Sequence, residues 1–250
     1  MMTLGSLLLA DSRLPTGSHA HSGGVEAAVE RGLLRDEADL ALFLAGRLRS
    51  SGPVIAAVAA AGCLLAADPA PADQAPGDPA PGDWGRWDAA VSARLPSAAV
   101  REASRAQGAA LLRTARQVWP SAVVEALSEL GRPHHPLVLG AAVAAAGDGA
   151  DALAPGHTDG ADVAALLAVH HLLGGACSAA VRLLGLDPIA VAAVQARAAG
   201  PAEQVALSAT RVARAAVARQ DTRLLPSTGT PLPEVLAELH ARAEVTLFAS

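Results

Sequence analysis

The sequence contains no lysine, and all nineteen of its positively charged side chains are arginines. A phosphate-binding loop of the GxxxxGK[ST] type needs a lysine, and so do Schiff-base enzymes and kinase-type active sites. Because none of these sites can form, the chain is not itself a conventional nucleotide hydrolase. Asparagine is also absent, and isoleucine occurs only at Ile55 and Ile189.

Cysteine and aromatic residues are almost as scarce. Cys63 and Cys177 lie far apart in the sequence and form neither a CxxC pair nor a disulfide framework. There are two phenylalanines, three tryptophans and no tyrosine, and the net charge is −5 with no basic run. Binding to nucleic acid depends on basic patches and, for single strands, on stacking aromatics, so the composition argues against a nucleic-acid partner.

Long hydrophobic runs are missing as well. The N-terminus, MMTLGSLLLADSRLP, has neither the basic start nor the long apolar run of a signal peptide. The longest apolar stretch, residues 53–67, has fifteen residues. A helix that spans a bilayer needs about twenty. We therefore expect a cytoplasmic protein that has no contact with a membrane.

The abundant residues are small and apolar, chiefly alanine, leucine and valine, which favour helices packed at close range. We predict an all-α fold, a single compact multi-helix domain of about ten helices over residues 1–250, with no sheet. Ser97 is predicted to cap a long helix that ends near Trp119. The main predicted helices are 4–10, 25–34, 36–52, 53–67, 97–119, 161–184, 187–199, 201–220 and 232–247. The helix at 53–67 is apolar nearly all round, so we expect it to lie at the centre of the fold.

A Pro/Ala/Asp-rich segment interrupts this helical pattern at residues 68–83. It has five prolines in sixteen residues, and its acidic side chains keep it solvated. We interpret it as a flexible insertion, either a tether or, more simply, a tolerated surface insertion.

The stretch LPTGSHAHSGGVE, residues 14–26, is not explained by helical periodicity. In an extended segment His19 and His21 point the same way, so both imidazoles could bind one metal ion. Two ligands are too few for a tight site, although a two-fold dimer could supply four. The alternative interpretation is a rigid loop shaped for a partner, with Ser22 or Gly23 capping the next helix and Glu26 in its first turn.

The other histidines give no recognisable metal motif. The pairs His134–His135 and His170–His171 diverge by about 100° on a helix, and neither matches HExxH. His170 falls on the apolar face of its predicted helix, so we expect it to be a core or interface residue.

Residues 101–113, REASRAQGAALLR, form the second unusual stretch. Arg101, Glu102 and Arg105 are spaced to form a charged lattice along one side of a helix, to which Ser104 and Gln107 add hydrogen-bonding groups. A glycine in mid-helix, here Gly108, costs about 1 kcal/mol relative to alanine. We therefore expect another element to pass close to it. The stretch is either a functional surface or a helix crossing with solvated arginines.

Taken from the residues alone, these patterns favour a binding or assembly role, because no catalytic constellation emerges. The run LLLADSRLPTGSHAHSGGVEAAVERG (7–32) closely resembles the N-terminal signature of the UreF family of urease accessory proteins. The similarity continues in order through 100–113, 134–147, 179–188 and the end of the chain, LHARAEVTLFAS (239–250). It departs at His19, where the family commonly has an aromatic residue, and at Thr246, where it has an arginine.

The resemblance implies an all-helical homodimer that catalyses nothing. It would join the accessory protein UreD (also called UreH) to the GTPase UreG and regulate GTP-dependent delivery of nickel to apo-urease. No cofactor would be bound directly, since nickel is handled by the complex. The competing hypothesis is a helical metal-binding hydrolase that uses His19 and His21.

The resemblance also implies three partner-binding regions. We name them the N-terminal motif (residues 14–26), the central motif (residues 101–108) and the C-terminal tail (residues 239–250), which we expect to dock onto UreD. The candidate residues are Pro15, Gly17, His21, Ser22, Gly24 and Glu26, then Arg101, Glu102, Ser104, Gln107 and Gly108, and finally Leu247, Phe248 and Ser250.

Overall fold

In a computed structural model of the chain, residues 3–11, 13–15, 22–67, 83–148, 159–229 and 231–242 are described. Twelve α-helices account for most of these residues, and none of the described residues is in a β-strand. The predicted all-α fold is confirmed. The insertion predicted at 68–83 lies outside the described residues except for Asp83, so its role stays a prediction.

The helix bounds follow the predicted ones closely in the long elements. The helices are α1 Leu4–Ala10, α2 Val25–Glu30, α3 Glu37–Arg49, α4 Ser51–Ala67, α5 Trp84–Ser92, α6 Ala98–Val118, α7 Ala122–Ser128, α8 His135–Val143, α9 Gly160–Leu184, α10 Pro188–Arg197, α11 Ala199–Ala218 and α12 Pro231–His240. The predicted cap is confirmed, because the Ser97 hydroxyl accepts a hydrogen bond from the backbone N–H of Val100 at 3.1 Å.

The second helix is shorter than predicted. It ends at Glu30 instead of continuing to residue 34, because Gly32 adopts a left-handed conformation with φ of +66°. The backbone N–H of Leu33 then donates to the Ala28 carbonyl at 2.9 Å, which is the Schellman arrangement that closes a helix.

Helix α4 lies at the centre of the fold. It is buried along almost its whole length and packs against α8, α9 and α11. This confirms the prediction from its sequence, which is apolar nearly all round. The core around it is built mainly from alanine, leucine and valine side chains, with few aromatic ones.

Two glycines allow α4 and α8 to cross at very short range. A Cβ atom added to Gly140 on α8 would lie 2.0 Å from the Ala59 carbonyl oxygen of α4. A Cβ atom added to Gly62 on α4 would lie 2.7 Å from the Leu137 carbonyl oxygen of α8. Each glycine therefore faces the backbone of the other helix, and no larger residue fits at either position.

Helix α9, with 25 residues, is a longer apolar helix than the stretch at 53–67 that the sequence suggests as the longest. Among the described residues, α9 is the one helix that is long and apolar enough by composition to cross a membrane. The bent pair α3–α4 would also qualify if its two helices were counted as one span. Most of the apolar window of α9 is buried inside the fold, as in the core helix of a globular protein.

Candidate functional site

The N-terminal motif is tied to α6 at its start. Pro15 is exposed, and its carbonyl oxygen accepts a hydrogen bond from the Thr114 hydroxyl at 2.8 Å. Residues 16–21, with the candidate residues Gly17, His19 and His21, lie outside the described residues. Metal binding by the two histidines therefore stays untested.

The end of the motif turns into the protein. Ser22, Gly24 and Glu26 are all buried. The expected cap at Ser22 or Gly23 is wrong. The N-cap of α2 is Gly24, with φ of +91°, which has no side chain that could cap the helix. Glu26 does lie in the first turn as predicted. Partner binding by these residues stays a prediction, and their burial means that they would act by shaping the motif.

Arg47 is a functional candidate that the sequence analysis missed. It lies in the last turn of α3, and its guanidinium donates to the Gly23 carbonyl oxygen, so it holds the backbone of the N-terminal motif. Burial lowers the pKa of Arg47 to about 10. A basic residue in the last turn of a helix is also favoured by the helix dipole, and that alone gives no sign of a functional role. The glycine pair 23–24 signals a backbone that accepts such a donor, but not which residue supplies it.

The motif also meets the C-terminal part of the chain. Nε2 of His240, the last residue of α12, lies 3.3 Å from a carboxylate oxygen of Glu26, and both side chains are buried. At the other side of α12, a Glu238 carboxylate oxygen accepts from the Ser97 hydroxyl at 2.7 Å and from the Ala99 N–H at 3.0 Å. The Ser97 hydrogen bond lowers the pKa of Glu238. Helix α12 is thus fixed to both α2 and the start of α6.

The C-terminal tail continues from this anchored helix. Residues 243–250, which include the candidates Leu247, Phe248 and Ser250, lie outside the described residues, so their docking stays a prediction. The outer face of α12 carries three exposed apolar side chains at positions i, i+3 and i+7. They are Leu232, Val235 and Leu239.

The central motif does not form the predicted charged lattice. Arg101 donates to the carbonyl oxygens of residues 95 and 96, and Glu102 pairs with Arg132 at 2.6 Å. Arg105 pairs with Asp88 of α5 at 2.9 Å. The lattice was wrong because each charged side chain found a partner on another element instead of on its own helix.

His134 lies at the centre of this polar network and is completely buried. Its Nδ1 is 3.0 Å from the Ser104 hydroxyl, its Nε2 is 2.9 Å from the Ser92 hydroxyl, and its backbone N–H donates to Asp88 at 2.8 Å. Burial lowers the pKa of His134 to about 4. The network joins α5, α6 and the start of α8, and both ring nitrogens of the imidazole are hydrogen-bonded.

Gly108 confirms the expectation of a close neighbour. A Cβ atom at this position would lie 2.0 Å from the Pro133 carbonyl oxygen and 2.9 Å from the His135 backbone nitrogen. The central motif is therefore largely a packing surface that holds the 133–135 turn, with Glu102 as its exposed member and Gln107 half-buried.

The Arg105–Asp88 pair should stabilise the protein measurably. In Arg105→Gln the free energy of unfolding should fall by about 1–3 kcal/mol, because the Asp88 carboxylate, only 11% exposed, loses its charged partner. The matched control is Arg116→Gln on the same helix, whose partner Glu125 is 53% exposed. That change should stay within about 0.5 kcal/mol. Urea titrations of both variants check the prediction, and equal losses would contradict it.

Of the paired histidines of α9, His171 and not His170 faces the interior. His170 is exposed, so the core alternative of its prediction is wrong, and the interface alternative stays a prediction. His171 turns inward, and its Nε2–H donates to the Leu9 carbonyl oxygen at 2.9 Å. Burial lowers the pKa of His171 to about 4. Among the described residues, no three His, Cys, Asp or Glu side chains are placed to hold a metal ion.

A cavity of about 500 Å³, which we call the central cavity, lies between the predicted partner-binding regions. Its wall includes Gly23 and Gly24 of the N-terminal motif, Ser104 and Gln107 of the central motif, and Ala237 of α12. Two motifs that are distant in sequence and the helix that leads to the C-terminal tail therefore surround one space. No sequence pattern predicted this cavity.

Comparison with known proteins gives full-length relatives. The UreF family profile matches residues 34–199. The urease accessory protein UreF of Mycolicibacterium vanbaalenii is 42% identical over 254 residues, and that of Mycobacterium marinum is 40% identical over 251 residues; both alignments cover all of both chains. The UreF of Mycobacterium tuberculosis is 38% identical over 247 residues, which are 98% of this chain and 97% of the relative.

Proposed function

The chain belongs to the UreF family of urease accessory proteins, and from this premise we propose that it is a non-enzymatic scaffold of the nickel-insertion complex. In the cytoplasm it bridges UreD (UreH) and the GTPase UreG, and it regulates GTP-dependent nickel delivery to apo-urease. It acts as a homodimer, without nucleic acid or membrane. Nickel is the cargo of the complex, and the chain itself requires no cofactor.

The arrangement around the central cavity is the observation that supports this proposal best. A scaffold has to hold separate contact regions in a fixed relation, and buried polar contacts do this more firmly than exposed ones. Here Arg47 holds the N-terminal motif, the Glu26–His240 contact joins that motif to α12, and Glu238 joins α12 to the start of α6. A partner that displaces one region would therefore act on the others.

Helix α12, with its exposed apolar face, is the last described helix before residues 243–250 in the sequence. Exposed apolar side chains in a continuous row are typical of protein interfaces. Since the face leads directly into the tail, we assign both to the same partner, UreD. The N-terminal and central motifs then remain for UreG and for the second copy of the chain.

A charge placed on this face should weaken UreD binding. For Val235→Glu, at a side chain that is 53% exposed, we expect the dissociation constant for UreD to rise at least tenfold, or about 1.4 kcal/mol, with an unchanged melting temperature. The control is Leu42→Glu on α3, at a side chain that is 72% exposed, which should bind UreD normally. Surface-bound UreD titrated with each variant gives both constants. Unchanged binding by Val235→Glu would exclude this face.

The scaffold itself is tested by purifying the chain together with UreD and UreG, with and without GTP, and sizing the product by light scattering. We expect a complex with two copies of each protein whose stability depends on the nucleotide. If the chain binds neither protein under any nucleotide condition, the proposed bridging role is wrong.

A further inference from the structure

The central cavity has the dimensions of a ligand site. Pockets for small molecules typically enclose about 300–1,000 Å³ and have apolar walls with a few polar groups. This cavity, of about 500 Å³, fits that range. Its apolar wall comes from several helices and includes Val54, Ile55, Leu95, Val100, Leu172 and Val191.

One wall residue, the half-buried Arg47, is a cation without a counter-ion among the described residues. Arg47 pairs with no carboxylate among the described residues, and its only hydrogen bond to them goes to the Gly23 carbonyl oxygen. Its Nε–H is buried and has no acceptor among the described residues. A guanidinium with a buried, unsatisfied N–H and no anion is unfavourable, so the site gains stability when a carboxylate occupies it.

The other charged groups in the wall do not compensate Arg47. Asp11 is paired with Arg13 at 2.7 Å. Arg94 donates to four backbone carbonyl oxygens, so four of its five N–H donors are already used. Glu234, on α12, makes no ion pair with Arg47. The one guanidinium in this wall with unused, buried donors is therefore that of Arg47, within the described part of the chain.

The cavity also contains a buried acceptor. His171 donates its Nε2–H to the Leu9 carbonyl oxygen, so in the neutral ring Nδ1 carries a lone pair. That Nδ1 atom is buried and has no donor among the described residues. Arg47 Nε–H and His171 Nδ1 are thus two buried polar atoms of this wall without a partner among the described residues, and a carboxylate can satisfy the first of them.

Two consecutive glycines keep the cavity open. Gly174 and Gly175 lie in the middle of the 25-residue helix α9 and line the cavity. Glycine in mid-helix is unfavourable unless something passes close to it. No atom of the described residues lies within 4 Å of a Cβ atom built on Gly175, and the nearest such atom to one on Gly174 is 3.7 Å away. Their small size therefore leaves empty volume instead of admitting a neighbouring helix.

We propose that this cavity binds a small apolar carboxylic acid, with the carboxylate on the Arg47 guanidinium and the apolar body along α9 beside Gly174 and Gly175. The chemistry is a charge-assisted hydrogen bond at one end and burial of hydrocarbon along the rest. The site lies next to the N-terminal motif, since Arg47 also holds Gly23. The ligand is thus in a position to stabilise that motif.

Calorimetric titration of the purified chain with decanoate tests the proposal. The probes are decanoate, decanol and decyltrimethylammonium, each below its aggregation concentration. We expect decanoate to bind one-to-one, at least tenfold more tightly than decanol, and decyltrimethylammonium not to bind. Arg47→Gln should weaken decanoate binding at least tenfold. The control Arg49→Gln, at an exposed arginine of the same helical turn, should not.

A second pair of variants is independent of the contact between Arg47 and Gly23. Gly175→Phe should fill the cavity and remove decanoate binding while the protein stays folded, because the added Cβ meets no atom of the described residues within 4 Å. Gly46→Phe, which has equally open space but does not line the cavity, should bind decanoate normally. Equal affinity for decanol and decanoate, or no binding of decanoate up to millimolar concentration, overturns the proposal. The chain is tested alone, so such a failure leaves the scaffold function untouched.

Discussion

Replacing Gly140 with alanine should lower the free energy of unfolding by at least about 3 kcal/mol. The new methyl group would lie 2.0 Å from the Ala59 carbonyl oxygen and 2.7 Å from the Cys63 backbone nitrogen, both in the central helix α4. These are backbone atoms of a buried helix and cannot rotate away as a flexible side chain can. The helices α4 and α8 would have to separate, and the core between them would loosen.

The matched control is Gly46→Ala. Gly46 also lies inside a helix, α3, but in the described part of the chain no atom lies within 4 Å of its built Cβ position. Here alanine should stabilise the protein by about 0.5–1 kcal/mol, because it loses less backbone entropy than glycine. Urea unfolding of both variants measures the two effects. Opposite signs are expected, and a loss below about 1 kcal/mol for Gly140→Ala would contradict the close crossing.

Acidification from pH 7 to pH 5 should destabilise the protein strongly. Burial lowers the pKa of His134 to about 4 in the folded state, from its ordinary value of 6.5. At a pH between the folded pKa of about 4 and the ordinary value of 6.5, the unfolded chain binds a proton on His134 that the folded chain does not, so stability falls as the pH falls. For His134 the loss at pH 5 amounts to about 2 kcal/mol. Burial lowers the pKa of His171 as well, which adds a loss of the same sign.

Two variants separate this effect from general acid sensitivity. His134→Gln should be less stable at pH 7, but its stability should change less between pH 7 and pH 5 than that of the unsubstituted chain. His170→Gln, at the exposed histidine beside His171, should leave the pH dependence unchanged. Urea midpoints measured at pH 7, 6 and 5 give the slopes. An identical slope in His134→Gln would show that this histidine is not buried as a neutral ring.

The parts of the fold that depend on local sequence could be predicted. The small apolar residues of 53–67 led to a central helix, Ser97 to a helix start, and the mid-helix Gly108 to a close neighbour, and the structure confirms all three. Each of these features rests on a rule that needs only neighbouring residues, such as side-chain size, capping chemistry or the cost of glycine in a helix. The end of α2 at Glu30 rests on Gly32 in the same way, and the sequence analysis overlooked it.

The arrangement of the candidate site could not be predicted because it depends on contacts between distant parts of the chain. Whether His170 or His171 faces inward is decided by a rotation of about 100° of α9, which the apolar pattern did not resolve. The position of Glu26 in the sequence is typical of an exposed first-turn carboxylate, but in the fold it is buried against His240. The charged residues of the central motif were interpreted as one lattice because their partners, Asp88 and Arg132, lie on other elements.

The nickel content of urease made with and without this chain tests the proposed function most directly. Apo-urease is produced together with UreD and UreG, in one case with the chain and in the other without it, and the purified urease is analysed for bound nickel and for activity. We expect nickel-loaded, active urease only when the chain is present. Equal nickel content and equal activity in its absence would contradict the role of this protein as the scaffold of nickel delivery.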